Sequence, residues 1–115
     1  MDYLKYFKND RYELGKLDCW AFTQYVFKEE ENVNLPDVLI FDDPENESRL
    51  KANVEHKQLS VPEKGCLVFV RTRQYGHTGY AISEKEYIHK TIAQGVKISA
   101  IPKTAEFFKI IKTND

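Results

Sequence analysis

Apolar residues recur every three to four positions in the segment after Gly15, and this spacing predicts an amphipathic helix. Asp18 is a suitable N-cap residue for that helix, so Cys19 is expected in the first helical turn. The periodic pattern ends in the acidic stretch KEEEN, ahead of Pro36. The apolar positions that define the helix are Cys19, Trp20, Phe22, Val26 and Phe27.

The second half of the chain consists of short β-branched or aromatic runs separated by turn residues, a pattern typical of strands. The runs are CLVFVR (66–71), HTGYAIS (77–83), EYIHK (86–90), VKISAI (96–101) and FFKIIK (107–112). They predict an antiparallel meander of roughly five strands. Helices first and a sheet afterwards make the expected fold class α+β.

The remaining segments give weaker patterns. Tyr3, Leu4 and Phe7 have helical spacing and predict a short first helix over residues 3–8. Residues 37–63 are mostly polar and are expected to form a surface excursion, with a turn at DDPENES and a short helix over 46–56. No internal repeat is present, and 115 residues are enough for one domain, residues 1–115, with its own core.

Charge and hydropathy exclude several classes of function. The formal net charge is −1, which argues against a dedicated nucleic-acid-binding protein, since such proteins normally carry a basic excess. No apolar run approaches the roughly 20 residues that cross a bilayer, so membrane insertion is not expected. The N-terminal stretch MDYLKYFKNDRYE has no apolar region of the signal-peptide kind. We therefore expect synthesis in the cytoplasm without general secretion.

Cys19 is the first candidate for chemistry, because a helix N-terminus favours a thiolate and its N–H groups can stabilise an oxyanion. The alternative is that Cys19 is a small buried apolar residue, as free cysteines often are. Cys66, in a strand without a helix dipole, is expected to be such a buried residue. A disulfide between the two cysteines is not expected, because a core of this size does not need one.

The three histidines differ in their surroundings. His56 lies in a polar stretch and is expected to be a solvated surface residue. His77 and His89 lie in consecutive predicted strands, and a turn near Glu84–Lys85 would make the two imidazoles neighbours on one face. Together with Cys19 they would supply a nucleophile, a base and an orienting group. Two alternatives are half-buried histidines without a role and a Cys–His–His metal site, although the spacings match no common metal-ligand motif.

Five ordered motifs resemble the NlpC-type papain-like cysteine peptidases, which cut peptide stems of the bacterial cell wall. They are RYELGKLDCWAF, YVFKEEENVNLPD, VPEKGCLVFVR, GHTGYAIS and EYIHKTIAQGVKIS, together spanning about residues 9–112. The second histidine of the pair follows the first by 12 residues, an interval similar to that of family members with two histidines.

The resemblance implies a papain-like fold, with Cys19 as nucleophile, His77 as general base and acid, and His89 as the residue that orients His77. Tyr12 matches a tyrosine of the substrate cleft, and Asp18 and Trp20, on either side of Cys19 in the sequence, are further candidates for contact with the substrate. The implied substrate is a peptidoglycan stem peptide, with the bond between γ-D-glutamate and the diamino acid as the reference case. No metal or organic cofactor is implied.

The Asp-Cys-Trp form resembles members found among phage and phage-like tail proteins, which implies tail or secretion-machinery proteins as partners. Stem-cutting members typically have Ser-Gly after the cysteine, where this chain has Trp20-Ala21, so that substrate contact does not carry over. Trp20 has two interpretations, a core anchor beneath the cleft or a wall of a subsite. Cys66 replaces the family's aspartate at the strand start.

Two other functions are compatible with these motifs. A CHAP-type amidase also has a helix cysteine and a Gly-His strand, but its third residue is typically an acid or amide rather than a histidine. A non-catalytic tail or assembly module would keep the fold for binding alone. A lipid acyltransferase on the same fold lacks support because the chain has no apolar anchoring segment.

Overall fold

The computed structural model describes residues 3–8, 19–35, 54–71, 76–91 and 95–113. The expected first helix is a 3₁₀ helix, Leu4–Lys8, and the expected amphipathic helix is α1, Cys19–Glu31. Six strands follow: β1 Val54–Leu59, β2 Leu67–Arg71, β3 Gly76–Ala81, β4 Glu86–Thr91, β5 Gly95–Ala100 and β6 Glu106–Thr113. The fold is α+β, as the sequence predicts. Among the described residues, no helix is both long and apolar enough to cross a membrane.

The six strands form one antiparallel sheet in the order β1-β6-β2-β3-β4-β5. The predicted meander is confirmed for β2 to β5. It is wrong for β6, which returns to lie between β1 and β2 instead of extending the sheet beyond β5. Phe107 and Phe108 are both buried although they point to opposite faces, and burial on both faces requires a position inside the sheet.

The strand that the sequence did not predict is β1, and it corrects the interpretation of residues 37–63. β1 begins at Val54, so the predicted short helix over 46–56 is wrong at its last three residues, and its earlier part lies outside the described residues. Lys57 and Gln58 on β1 are exposed and Leu59 is only half-buried. This edge strand has too few apolar residues for a period of two to stand out. It forms because β6 offers an unpaired edge, with His56 opposite Ile110.

Helix α1 packs its apolar side against one face of the sheet. The main core cluster includes Trp20, Phe22, Val26 and Phe27 of the helix with Leu67, Phe69, Tyr80, Ile88 and Phe108 of the strands. The opposite face carries a smaller cluster of Cys66, Val68, Ala81, Tyr87 and Phe107. Cys19 and Cys66 are both free, in agreement with the sequence-based expectation. The sheet is therefore buried on both sides at its centre, where the candidate site lies.

Candidate active site

The hairpin of β3 and β4 sets the position of the two strand histidines. Its strands pair at Gly79–His89, Tyr80–Ile88 and Ala81–Tyr87, with the turn at Ser83–Glu86, as expected from the sequence. Beyond Gly79 and His89, β3 continues paired with β2, and β4 continues paired with β5. His77 is two residues beyond Gly79 and therefore lies on the same face as His89.

His77 and His89 are hydrogen-bonded to each other. His77 Nε2 lies 2.6 Å from His89 Nδ1, and the ring centroids are 4.9 Å apart with planes at 79°. Burial lowers the pKa of His77 to about 4. Burial, the neighbouring His77 and the Lys97 ammonium lower the pKa of His89 to about 3. Both imidazoles are therefore neutral near pH 7, and a neutral imidazole has one nitrogen free to accept a proton.

Tyr87 and Ser99 hold His89 from two further directions. The Tyr87 ring stacks on the His89 ring at 4.1 Å and 11°, and the Ser99 hydroxyl lies 2.8 Å from His89 Nε2. Tyr87 can lie there because residue 79 is glycine: a Cβ at Gly79 would collide with the Tyr87 ring and lie 2.8 Å from the Ile88 carbonyl oxygen. Gly79 thus leaves space for the Tyr87 ring, which holds His89 in place.

Cys19 is the first residue of α1, and two buried threonines attach this helix start to β3. The Thr23 hydroxyl donates to the Cys19 carbonyl oxygen at 2.7 Å, and the hydroxyl oxygens of Thr23 and Thr78 are 2.9 Å apart. Each hydroxyl has one proton, so Thr78 donates to Thr23, and its 3.5 Å contact with the Cys19 carbonyl is secondary. Since Thr78 follows His77 directly, these bonds hold Cys19 beside the histidine strand.

The pKa of Tyr87 depends in part on Cys19. Burial, followed by the negative charge of a Cys19 thiolate, raises the pKa of Tyr87 to about 12, so the phenol remains protonated. The Tyr87 ring meets the His77 ring edge-on with centroids 6.5 Å apart. Cys19, Tyr87 and the histidine pair thus share one buried environment. Low polarity there strengthens interactions between charged and polar groups.

The other sequence candidates have different positions. Tyr12 and Asp18 lie outside the described residues. Trp20 is 3% exposed and belongs to the main core cluster, which favours the core interpretation, while a contact with substrate stays a prediction. Cys66 is buried, and burial raises the pKa of its thiol. His56 is half-buried rather than solvated, because its ring packs edge-on against Phe108.

Sequence reasoning missed four residues that shape the site: Thr23, Thr78, Tyr87 and Ser99. Serine is common in strands, and only the β4–β5 register shows that Ser99 meets His89. Tyr87 was detectable, because it is two residues before His89 and shares its face. Within the described residues, no three His, Cys, Asp or Glu side chains are grouped so that they could hold a metal ion.

The two cysteines should differ in reactivity. We expect iodoacetamide at pH 6.5 to alkylate Cys19 at least about tenfold faster than Cys66, because only Cys19 has a helix N-terminus to favour the thiolate. Both thiols are buried, so exposure alone does not separate them. Peptide mass spectrometry after timed quenching measures both rates, and Cys66→Ala should retain the fast reaction. Equal rates, or faster labelling of Cys66, would contradict the assignment of Cys19.

The lowered histidine pKa values predict an acid-sensitive fold. An unfolded histidine binds its proton near pH 6.5, whereas His77 binds one only near pH 4 and His89 near pH 3. Between these values the unfolded chain holds more protons, so the free energy of unfolding should fall as the pH is lowered from 6.5 towards 4. The expected slope is about 1.4 kcal/mol per pH unit for each histidine.

Urea unfolding between pH 7 and 4.5 measures this slope. His77→Gln should have a shallower slope than the unaltered protein by about one proton, because that variant loses a histidine that takes up its proton in this pH range mainly in the unfolded chain. Carboxylates contribute equally to both proteins and cancel in the difference. Identical slopes would show that His77 does not have a lowered pKa.

Comparison with known proteins assigns the chain to a sequence family. A sequence model of the NlpC/P60 family matches residues 9–109 of the 115 residues. The matched stretch contains Cys19, His77 and His89 together with Ser99. No curated protein sequence matches the chain at a significant level.

Proposed function

Because the chain belongs to the NlpC/P60 family, we propose that it is a cysteine peptidase that hydrolyses an amide bond in bacterial peptidoglycan stem peptides. Cys19 is the nucleophile, His77 the general base and acid, and His89 the residue that orients His77. The observation that carries this proposal is the 2.6 Å bond between His77 Nε2 and His89 Nδ1, since it leaves Nδ1 of His77 for a thiol. The bonds of Thr23 and Thr78, which hold the Cys19 carbonyl against β3 next to His77 in sequence, support a thiol near that histidine.

Acylation begins when the Cys19 sulfur attacks the carbonyl carbon of the scissile amide. The thiol proton moves to Nδ1 of His77, the sulfur–carbon bond forms, and the carbonyl π electrons move to oxygen. Backbone N–H groups in the first turn of α1 are suited to stabilise this oxyanion, because the positive end of the helix dipole favours negative charge at a helix N-terminus. His77 then gives its proton to the leaving amine as the carbon–nitrogen bond breaks.

Deacylation uses the same histidine in reverse. Neutral His77 takes a proton from water, the resulting hydroxide oxygen attacks the thioester carbon, and the sulfur leaves with the proton from His77. A base for this step must be unprotonated at working pH. The lowered pKa of His77, caused by burial, keeps the imidazole neutral above about pH 4 and supports this role.

We further propose that the bond cut lies between γ-D-glutamate and the diamino acid of the stem. Tyr12, Asp18 and Trp20 are the sequence-based candidates for contact with the substrate. Trp20-Ala21 stands where stem-cutting relatives have Ser-Gly, so the free amine of the first alanine would need another partner. The cleavage rates of an unsubstituted stem and of a stem without that free amine should be compared first, because the comparison shows whether the amine is recognised.

The cellular setting is a separate proposal that rests on the Asp-Cys-Trp sequence alone. We propose that the chain is part of a phage or phage-like tail and acts on the cell wall from there. Mass spectrometry of purified tail particles should then detect its peptides. Their absence from particles made by cells that express the chain would contradict the tail assignment without affecting the peptidase assignment.

Digestion of purified peptidoglycan tests the peptidase proposal. New muropeptides with a cleaved stem should appear with the unaltered protein and disappear with Cys19→Ala, as detected by mass spectrometry of the soluble products. The matched control is Cys66→Ala, which removes the other buried free thiol, one with no part in the proposed mechanism, and should leave the products unchanged. Release of an intact stem from the sugar would instead identify an amidase, and no product would favour a binding module.

A further inference from the structure

The hydrogen bonds around His89 continue beyond the histidine pair. His89 Nδ1 faces His77, and His89 Nε2 lies 2.8 Å from the Ser99 hydroxyl on the neighbouring strand β5. Ser99 pairs with Tyr87 across the β4–β5 ladder, so it is diagonal to His89 on the same face. Both nitrogens of His89 therefore have a defined partner.

Proton counting gives these bonds a direction. For His77 to accept the thiol proton at Nδ1, its own proton must be on Nε2, where it is donated to His89. His89 Nδ1 must then be the acceptor, which leaves the His89 proton on Nε2, facing Ser99. The Ser99 oxygen accepts that bond. A hydroxyl has two lone pairs and can accept this bond while donating its own proton elsewhere.

We propose that Ser99 is a positioning residue that holds His89 in the Nε2–H tautomer and so keeps Nδ1 of His77 free to accept the thiol proton. The inference rests on the peptidase function proposed above, but its geometric part concerns only the resting protein. Ser99 takes no proton during the reaction. The proton from Cys19 stops at His77, which becomes doubly protonated while His89 remains neutral.

The other groups that face His89 support a neutral ring. Tyr87 stacks on it as an uncharged phenol, and Lys97 is directly opposite on β5 with an exposed, positively charged side chain. A second proton on His89 would be repelled by Lys97 and by protonated His77. Neither Tyr87 nor Lys97 selects between the two neutral tautomers of His89. Among the residues that the structure describes, Ser99 is the hydrogen-bond partner of His89 Nε2, so it is suited to make that selection.

Nitrogen NMR of the unaltered protein tests the geometric part. The imidazole ¹⁵N shifts at pH 7, assigned with the variants His56→Gln and His77→Gln, should show His89 protonated at Nε2 and unprotonated at Nδ1. In Ser99→Ala the His89 signals should move towards a mixture of both tautomers, while in Ser99→Thr they should stay as in the unaltered protein. A predominantly Nδ1-protonated His89 in the unaltered protein would overturn the proposal.

Kinetics test the catalytic consequence. Ser99→Ala should lower kcat for muropeptide hydrolysis by about tenfold with little change in KM, and Ser99→Thr should restore most of it. Ser83→Ala is the matched control, because Ser83 also accepts hydrogen bonds but at the far turn of the β3–β4 hairpin. It should change neither the tautomer nor kcat. Unchanged kcat and an unchanged tautomer in Ser99→Ala would refute the role of Ser99.

These two measurements also separate the two proposals. If the unaltered protein cleaves nothing but Ser99→Ala shifts the His89 tautomer, the peptidase function fails and the positioning by Ser99 stands. If the protein is active and Ser99→Ala leaves the tautomer as it was, the function stands and the positioning fails.

Discussion

Replacement of His77 with glutamine should lower kcat/KM for muropeptide hydrolysis by about 10²–10⁴-fold, the usual contribution of a general acid–base group. Glutamine has a similar length and can still hydrogen-bond to His89, but it cannot accept a proton from the thiol or return one to the leaving amine. Muropeptide digestion followed by quantitative mass spectrometry measures the loss. A variant with at least a tenth of the original activity would exclude His77 as the base.

The double variant of the histidine pair makes this test sharper. His89→Ala should lower activity less than His77→Gln does, because in the proposed mechanism His89 acts only through its 2.6 Å bond to His77. If so, His77→Gln combined with His89→Ala should be no less active than His77→Gln alone, since residues that work as one unit give non-additive losses. Additive losses would instead show that His89 contacts the substrate or the reacting atoms by itself.

The part of the fold that sequence predicted best is the part with strong local patterning. The turn at residues 83–86 lies between two runs of strand-forming residues, and its Ser83 hydroxyl accepts two backbone N–H bonds. The register that results, with Gly79 opposite His89, is what brings His77 near His89. The histidine pair was therefore predictable from local turn chemistry together with the alternation of side chains along a strand.

The rest of the sheet depends on contacts between distant segments. Nothing in the sequence near Phe107 shows that β6 lies between β1 and β2, because the alternatives differ only in which distant edge it pairs with. β1 is a polar edge strand with few apolar residues, so its period is hidden. Tertiary pairing decided both positions, as it often does for strands.

The contacts around the histidines were hidden for a related reason. Ser99 is 10 residues after His89 and reaches it only because of the β4–β5 register, whose connecting residues contain no strong turn signal of the Asn-Gly kind. Thr78 points to the face opposite His77, towards α1. Its value for the site depends on the helix start lying against β3, which only the packing reveals.

Replacement of Trp20 with serine should destabilise the protein by roughly 3–5 kcal/mol, the usual cost of removing a large buried aromatic side chain. Trp20 is 3% exposed and packs in the main core cluster, one residue after Cys19. A loss of that size corresponds to a decrease in Tm of about 10–20 °C for a domain of this length. Calorimetry or thermal circular dichroism measures it, and Trp20→Phe, which keeps an aromatic ring, should lose less than half as much.

The same variants decide whether Trp20 also has a role in specificity. If the indole serves only the core, Trp20→Phe should cut the same muropeptides in the same proportions as the unaltered protein at a temperature where both are folded. If the indole lines a subsite, Tm should stay nearly intact in Trp20→Ser while the product profile changes. The burial of Trp20 in the main core cluster leads us to expect the first result. A serine variant with unchanged stability and an unchanged product profile would contradict both interpretations.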